Sequence, residues 1–189
     1  MQPEKIVAES TYGAQPGDRL GDLGVLFQLE QALALLPVPI AVIRGAYYMS
    51  NWLLSLDEVK KDGVLPTLYP ADFKLPMVAP EDIGAFAAKL MLNAETGLHF
   101  IEGPERYSPN DVAAAFSEVL DKQVTVASIT ENGWLDTLKK QGFSGPAAEY
   151  MVNMTRITLE EKYEVTDPHR GATTLQDHIQ KLVSISLAD

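Results

Sequence analysis

The sequence predicts an α/β fold built on a parallel sheet, and three neighbouring patterns carry that prediction. The apolar segment KIVAEST (residues 5–11) has the length and content of a buried strand, and IAVIRG (Ile40–Gly45) is a second, β-branched one. Between them, apolar residues recur at helical spacing. Strand, helix and strand within about 40 residues form a βαβ unit, whose crossover makes the two strands parallel.

The helix of this unit is predicted from leucines that share one face. Pro37 and Pro39 end it, because proline lacks the N–H group that a continuing helix needs. The leucines of this face are Leu23, Leu26, Leu29, Leu33 and Leu36.

The rest of the chain alternates helix and strand patterns. Up to residue 103 we predict a helix over 51–63 that ends at Gly63, short strands and turns over the proline-rich segment 63–80, a helix over 80–92 with Pro80 at its first position, and a strand over 97–103. Beyond it we predict a helix over 108–120, a strand over 122–129, helices over 131–141 and 146–158, and a last helix capped by Thr174. Ser108 with Asp111 three residues later forms an acidic variant of the capping box.

Charge and composition exclude several classes of function. Lys and Arg number 15 against 26 Asp and Glu, so the net charge is −11, and scattered basic residues in an acidic chain argue against nucleic acid as a partner. No run approaches the roughly 20 apolar residues of a membrane span, and the first residues do not resemble a signal peptide. The absence of cysteine excludes disulfides and is compatible with the cytoplasm, the location we expect.

The sequence also lacks the residue patterns that are typical of metal sites and of hydrolases. His99, His169 and His178 lack the spacing of metal ligands, so no metal is predicted, and we expect His178 to be a satisfied histidine at the edge of the core. There is no GxSxG nucleophile turn. The glycine-rich loop over 12–21 sits where a dinucleotide turn would, but it is long and acidic (Asp18, Asp22), so we do not expect it to bind pyrophosphate.

The best predicted site lies at the carboxyl ends of the two strands, where open parallel sheets bind ligands. Its residues after the first strand are Thr11, Tyr12 and Gly13. Its residues after the second strand are Gly45, Tyr47, Tyr48 and Asn51. The aromatic rings could equally pack between the sheet and the later segments, and both interpretations stay open.

The chemistry of these residues predicts their roles. Arg44 ends a buried strand, so we expect a carboxylate or backbone carbonyls to hold it in a structural role. Gly45 would let a ligand ring approach the backbone. A lining of tyrosines with one amide suits a flat, largely apolar ring with one or two polar atoms, the small-molecule substrate that we expect as the partner.

The segments KIVAESTYGAQ, LEQAL and PIAVIRGAYYMSNW resemble the NmrA-like family of atypical short-chain dehydrogenase/reductases. The later segments VAPEDIGAFAAKLM, FIEGPERYSPNDVAAAFSEVLDKQVTV and HRGATTLQDHIQKLV also resemble that family, in the same order. The resemblance covers the C-terminal part of the family fold. It implies a Rossmann-like sheet, a structural role for Asp82 in the DIG helix, and NAD(P) as cofactor, with NADP slightly favoured.

The chain departs from the pattern of this family in two respects. Relatives begin with a glycine-rich nucleotide-binding half, whereas this chain starts near the fifth strand of that fold, so we expect a truncated protein that lacks the pyrophosphate loop and binds NADPH weakly or not at all. The Tyr-x-x-x-Lys pair of the wider superfamily is also absent from the predicted crossover helix. Residues 1–50 would be a remnant of the Rossmann-like domain, and residues 51–189 a substrate-side α/β region intertwined with the sheet.

Three hypotheses of function follow from the resemblance. The protein is an NAD(P)H-dependent reductase of a quinone-like or other carbonyl substrate, a non-catalytic NAD(P)-binding redox sensor, or an inactive truncated product. A sheet that starts at an interior strand leaves an edge and a helix face uncovered. We therefore expect a homo-oligomer, a partner that supplies the missing half-sheet, or poor solubility, with no membrane and no nucleic acid as partner.

Overall fold

A computed structural model of the chain describes residues 3–185. The strands are β1 (Ile6–Thr11), β2 (Ile40–Gly45), β3 (Tyr47–Tyr48), β4 (Val64–Thr67), β5 (Leu75–Val78), β6 (Gly97–Glu102), β7 (Arg106–Tyr107), β8 (Thr125–Ser128) and β9 (His169–Arg170). The helices are α1 (Asp22–Leu33), α2 (Leu56–Asp62), α3 (Pro80–Met91), α4 (Pro109–Leu120), α5 (Glu131–Lys140), α6 (Gly145–Leu159) and α7 (Leu175–Ile185).

The main sheet has four parallel strands in the order β1-β2-β6-β9. This arrangement confirms the predicted βαβ unit. Thr11 pairs with Gly45, and Gly45 with Ile101, so β1 and β2 end level with each other beside β6. Two smaller sheets, β3-β5-β7 and β4-β8, come from the later segments, which the sequence predicted to hold short strands.

Local signals placed most helix boundaries correctly. Ser108 and Asp111 form the capping box at the start of α4, and Pro80 occupies the first turn of α3. Gly63 ends α2 with a φ of 68°, a left-handed conformation that favours glycine. The predicted helix over 51–63 differs in its first half, because residues Met49–Ser55 form 3₁₀ turns before α2 begins.

The leucine face predicted for α1 is only partly buried. Leu23 is buried, but Leu29 is 41% exposed and Val25 is 63% exposed. Leu36 lies beyond the end of the helix. Among the described residues, α1 packs on β1 at the edge of the sheet, and no further layer covers its outer side. The leucine pattern therefore identified the helix but overestimated its burial.

Three apolar clusters form the interior, and a cavity opens where they meet. One packs the 3₁₀ segment, α2, β5, α4 and α7 together, the second packs β1, β2 and β6 against α3, and the third joins α5 to α6. Trp52 of the first cluster, Tyr12 of the second and Leu138 of the third all line the cavity. The later segments are therefore packed against the sheet end that was predicted to carry the site.

His178 corrects one expectation from the sequence. It is buried on α7 as predicted, but its ring nitrogens have no hydrogen-bond partner among the described residues. Glu81 is near, with its Oε2 3.7 Å from Nδ1, beyond hydrogen-bond distance. Burial lowers the pKa of His178 below its usual value, although the Glu81 carboxylate opposes that shift.

The lowered pKa predicts how stability depends on pH. The unfolded chain binds the His178 proton more tightly than the folded chain does. Protonation of His178 therefore has no effect on stability well above about pH 6.5 and lowers the stability of the fold as the pH falls below that value. We expect His178→Leu to reduce the fall in melting temperature between about pH 7.5 and about pH 5.5. Thermal melts of both proteins at several pH values measure it. An unchanged pH slope would contradict this expectation.

Candidate functional site

A cavity of about 680 Å³ opens beyond the carboxyl ends of β1 and β2. Five residues predicted for the site contribute to its lining: Thr11, Tyr12, Tyr47, Tyr48 and Asn51. The predicted Gly13 and Gly45 do not. The cavity thus lies at the sheet end where the sequence placed the site.

The backbone at the end of β2 directs both tyrosines toward the cavity. Tyr12 N–H donates to the Gly45 carbonyl at 2.8 Å, and Ala46 N–H donates to the Ile101 carbonyl at 3.0 Å. These bonds hold the ends of the three strands together. Beyond them, β3 leaves the main sheet and pairs with β5, so Tyr47 and Tyr48 are both half-buried at the boundary between the two sheets.

Tyr48 lies over the strand ends and donates a hydrogen bond from its hydroxyl to Glu9. Its ring is close to Gly45, where an added Cβ would lie 3.2 Å from Cε1 of Tyr48. The sequence analysis expected a ligand ring to approach this glycine. In the structure the Tyr48 ring occupies that approach, so the absence of a side chain at Gly45 makes room for Tyr48.

Tyr47 belongs to an aromatic group with Trp52 and Tyr69. Its ring centroid lies 5.9 Å from Trp52 and 5.7 Å from Tyr69, the latter edge to face. Burial raises the pKa of Tyr47 to about 12, although a side-chain hydrogen bond with Asn51 opposes the shift. Tyr47 thus packs on its neighbours and also lines the cavity, so the two interpretations left open by the sequence both hold for this residue.

Tyr12 closes the opposite wall. Its ring contacts Phe100 and Tyr163 at centroid distances of 5.8 and 6.0 Å, and its buried hydroxyl has no hydrogen-bond partner among residues 3–185. Burial, followed by the nearby Glu102 carboxylate, raises the pKa of Tyr12. Gly13 stands behind this wall with a φ of 76°, a conformation that favours glycine at the turn after β1.

Arg44 and Asp82 hold elements together behind the site. Arg44 donates from Nε and Nη2 to the two carboxylate oxygens of Glu30, at 2.9 and 2.7 Å, and the Ser10 hydroxyl donates to the same carboxylate at 2.5 Å. A carboxylate therefore holds Arg44, as its place at the end of a buried strand led us to expect. Asp82 accepts hydrogen bonds from the backbone and hydroxyl of Thr173, both at 3.0 Å, and so ties α3 to the segment before α7.

The far wall was missed by the sequence analysis. It comes from the 3₁₀ segment, the proline-rich segment, α6 and the chain after it, and includes Trp52, Tyr69, Phe143, Met151, Met154, Thr155, Thr158 and Tyr163. One signal was present, because residues 151, 154, 155 and 158 share a helix face at i, i+3, i+4 and i+7. That face carries Met and Thr where a core face carries Leu or Val, which is typical of a helix facing a cavity.

The loop between β1 and α1 does not fit a dinucleotide pyrophosphate. The first turn of α1 carries the Asp22 carboxylate, which would repel a phosphate at the start of that helix. The neighbouring Arg19 is 3.3 Å from the Glu149 carboxylate. A pyrophosphate needs free N–H groups and a positive helix end, which these carboxylates offset.

Two further findings concern residues 3–185 as a whole. No His, Asp or Glu side chains there form a group of three that could hold a metal ion. None of the described helices is both long and apolar enough to cross a bilayer.

The lining suits binding of a flat ring. Aromatic residues line opposite walls, and the Thr11 hydroxyl and the Asn51 amide can pair a few polar atoms. The Thr155 and Thr158 hydroxyls donate to carbonyls of their own helix and offer a ligand only lone pairs. Burial is the main cause that raises the pKa of Tyr47, Tyr48 and Tyr12, so these hydroxyls stay protonated at neutral pH.

The sequence profile of the NmrA-like family matches residues 27–183. A curated relative, agroclavine dehydrogenase of Claviceps purpurea, is 28% identical over 123 residues, which cover 60% of this chain and 41% of that protein.

Two solved structures share the fold. An NADPH-dependent quinone oxidoreductase of Escherichia coli has a TM-score of 0.78 at 20% identity, over 95% of this chain and 68% of that one. The triphenylmethane reductase of Citrobacter sp. has a TM-score of 0.75 at 17% identity, over 96% of this chain and 65% of that one. The chain thus spans less than half of the curated relative and about two thirds of these structures.

Proposed function

Because the chain belongs to the NmrA-like family, we propose that it is the substrate-side part of an NAD(P)H-dependent reductase of a flat quinone-like or other carbonyl compound. One observation carries this proposal: the cavity at the ends of β1 and β2, with aromatic rings on its walls and a mainly apolar lining. The names of the similar dehydrogenase and quinone oxidoreductase support the same reaction class.

We assign this chain only part of the cofactor site. Bound NAD(P)H would supply hydride chemistry, and NADP is our proposed form of it. Because the loop before α1 is acidic, we propose that the pyrophosphate is held by residues other than those described. The part played by this chain is to bind and orient the ring, with Tyr47 and Tyr48 on one wall and Tyr12 on the other. The cytoplasmic location and the division at residue 50 stay predictions.

The test of the cavity uses Tyr47→Ala and Tyr48→Ala, made separately, with 1,4-naphthoquinone as the probe. Each loses a ring that lines the cavity, so we expect the dissociation constant to rise about tenfold. Tyr47→Phe and Tyr48→Phe keep the ring and should stay near the wild type. Calorimetric titration measures binding, and thermal melts confirm the fold. Unchanged affinity in both folded alanine variants would place the ring elsewhere.

A non-catalytic redox sensor is the second candidate. It is favoured by the polar groups of the described lining, which include no His or Lys and in which the Tyr48 hydroxyl proton is held by Glu9. Oxidation of NADPH in the presence of 1,4-naphthoquinone distinguishes the two. Turnover identifies the reductase, and dinucleotide binding without turnover identifies the sensor. The absence of both identifies the third hypothesis, a chain that is inactive by itself.

We also propose that the outer side of α1 and the free edge of β1 are covered in the working protein, by a second copy of the chain or by a partner. Val25 and Leu29 are exposed on that helix, and β1 is at the edge of the described sheet. We expect the chain to self-associate, and Leu29→Glu to weaken association at least about tenfold by placing a charge in the contact.

Light scattering over a range of concentrations measures this association. Ile185→Glu is the control, because Ile185 is 55% exposed at the end of α7, a helix that packs on α4 and on the 3₁₀ segment. A monomer at high concentration with a cooperative melt would contradict the proposal.

A further inference from the structure

The charged side chains that line the cavity are of one sign. Asp22, in the first turn of α1, and Glu58, in the first turn of α2, are exposed carboxylates at the cavity on different segments of the chain. In the part of the chain that the structure describes, no Lys, Arg or His joins this lining. A ligand in the cavity therefore meets negative charge that no basic side chain of the lining offsets.

The part of the cavity around Tyr48 also presents negative charge. Its hydroxyl hydrogen is committed to the Glu9 carboxylate, so the oxygen offers a ligand lone pairs rather than a proton. Asp22 is close enough to raise the pKa of Tyr48 further, after burial and Glu9. In this part of the cavity a ligand meets acceptor atoms and carboxylates rather than a hydrogen-bond donor, which favours a cation over an anion.

Two arginines on segments that frame the cavity, one before α1 and one in α6, are paired with carboxylates. Arg19 lies 3.3 Å from Glu149, and Arg156 of α6 donates to Glu131 at 2.7 Å. Their charges are thereby offset. At longer range the chain carries a net charge of −11, which attracts cations.

Aromatic faces complete the pattern. The ring centroids of Trp52 and Tyr69 each lie within 6 Å of that of Tyr47, and all three residues line the same cavity. The faces of such rings attract cations. Building on the proposed function, which takes this cavity as the ligand site, we propose that it selects flat aromatic ligands carrying a delocalised positive charge over neutral ones of the same shape.

The test compares two probes with the same three-ring frame, N-methylacridinium and acridine, at about pH 8 where acridine is neutral. Fluorescence titration of the 189-residue chain gives both dissociation constants. We expect N-methylacridinium to bind about tenfold more tightly than acridine. The preference should shrink as NaCl rises from about 0.02 M to about 0.5 M, because salt screens exposed charges.

Matched variants identify the source of the preference. The double variant Asp22→Asn/Glu58→Gln removes both lining carboxylates, and we expect the two probes to bind within about threefold of each other, with acridine unchanged. The control Asp57→Asn/Glu118→Gln removes the same charge from exposed positions outside the lining, one of them beside Glu58 in the same helical turn. It should keep the preference.

The outcomes separate this proposal from the function itself. Equal affinities for both probes, or an equal loss in the control variant, would overturn the preference for cations and leave the cavity as a site for flat rings. Failure of both probes to bind would overturn the proposed function as well. If the lining variant does not fold, the salt dependence of the wild type decides, and a preference that salt does not change counts against the proposal.

Discussion

Replacing Glu30 by Gln is expected to lower the free energy of unfolding by about 3 kcal/mol. The side chains of Glu30 and Arg44 are 10% and 14% exposed and form a two-point ion pair that also receives the Ser10 hydroxyl. Removing one charge leaves the other nearly buried without its partner, and that uncompensated charge is the main cost. Because the pair joins α1 to β1 and β2, the loss should destabilise the whole sheet edge.

Urea denaturation and thermal melting measure this effect, with a fall in melting temperature of about 6–12 °C. The control is Glu149→Gln, which breaks the exposed pair with Arg19 and should cost less than about 1 kcal/mol. The double variant Glu30→Met/Arg44→Met removes both charges and should recover part of the loss. Equal effects of Glu30→Gln and Glu149→Gln would show that the inner pair contributes no more than a surface pair.

Gly103→Ala should cost about 3 kcal/mol of stability. Gly103 follows β6, and its N–H donates to the Met77 carbonyl at 2.6 Å. An added Cβ would lie 2.8 Å from that backbone oxygen and 3.2 Å from Cε of Met49. Because the oxygen belongs to β5 and cannot rotate away, the methyl group must push the main sheet and the smaller sheet apart.

A glycine-to-alanine substitution in α3 should raise the stability instead of lowering it. Gly84 lies inside α3, and a Cβ built there meets no described atom within 4 Å. Gly84→Ala should therefore raise stability by about 0.5–1 kcal/mol through the lower flexibility of the unfolded chain. Chemical denaturation of both variants gives the comparison. A neutral Gly103→Ala would show that β5 and β6 can separate without loss.

Parts of this architecture could be predicted because their signals are local. The βαβ unit follows from two apolar strands and a helix close together in sequence, and Ser108 with Asp111 marks the start of α4 through bonds that span three residues. The acceptor for Arg44 was predictable in kind, since a charge at the end of a buried strand requires one. Its identity as Glu30 was not, because the pair depends on how α1 lies across the strands.

The near wall of the site was predictable for a topological reason. The carboxyl ends of neighbouring parallel strands meet at one edge of a sheet, so Thr11, Tyr12, Tyr47 and Tyr48 had to come together there. Gly45 was expected to let a ligand ring approach the backbone. The sequence does not show which ring lies over this glycine. In the structure that ring is Tyr48.

By itself, the sequence determined the fold class, the family and the end of the sheet at which the cavity opens, since each depends on periodicity, order and spacing along the chain. Only the tertiary structure decided what faces that end of the sheet. It brought α6 and the proline-rich segment across the cavity, left the leucines of α1 only partly buried and placed Asp22 and Glu58 at the same opening. These outcomes depend on contacts between segments far apart in sequence, where packing of the whole chain overrides any local pattern.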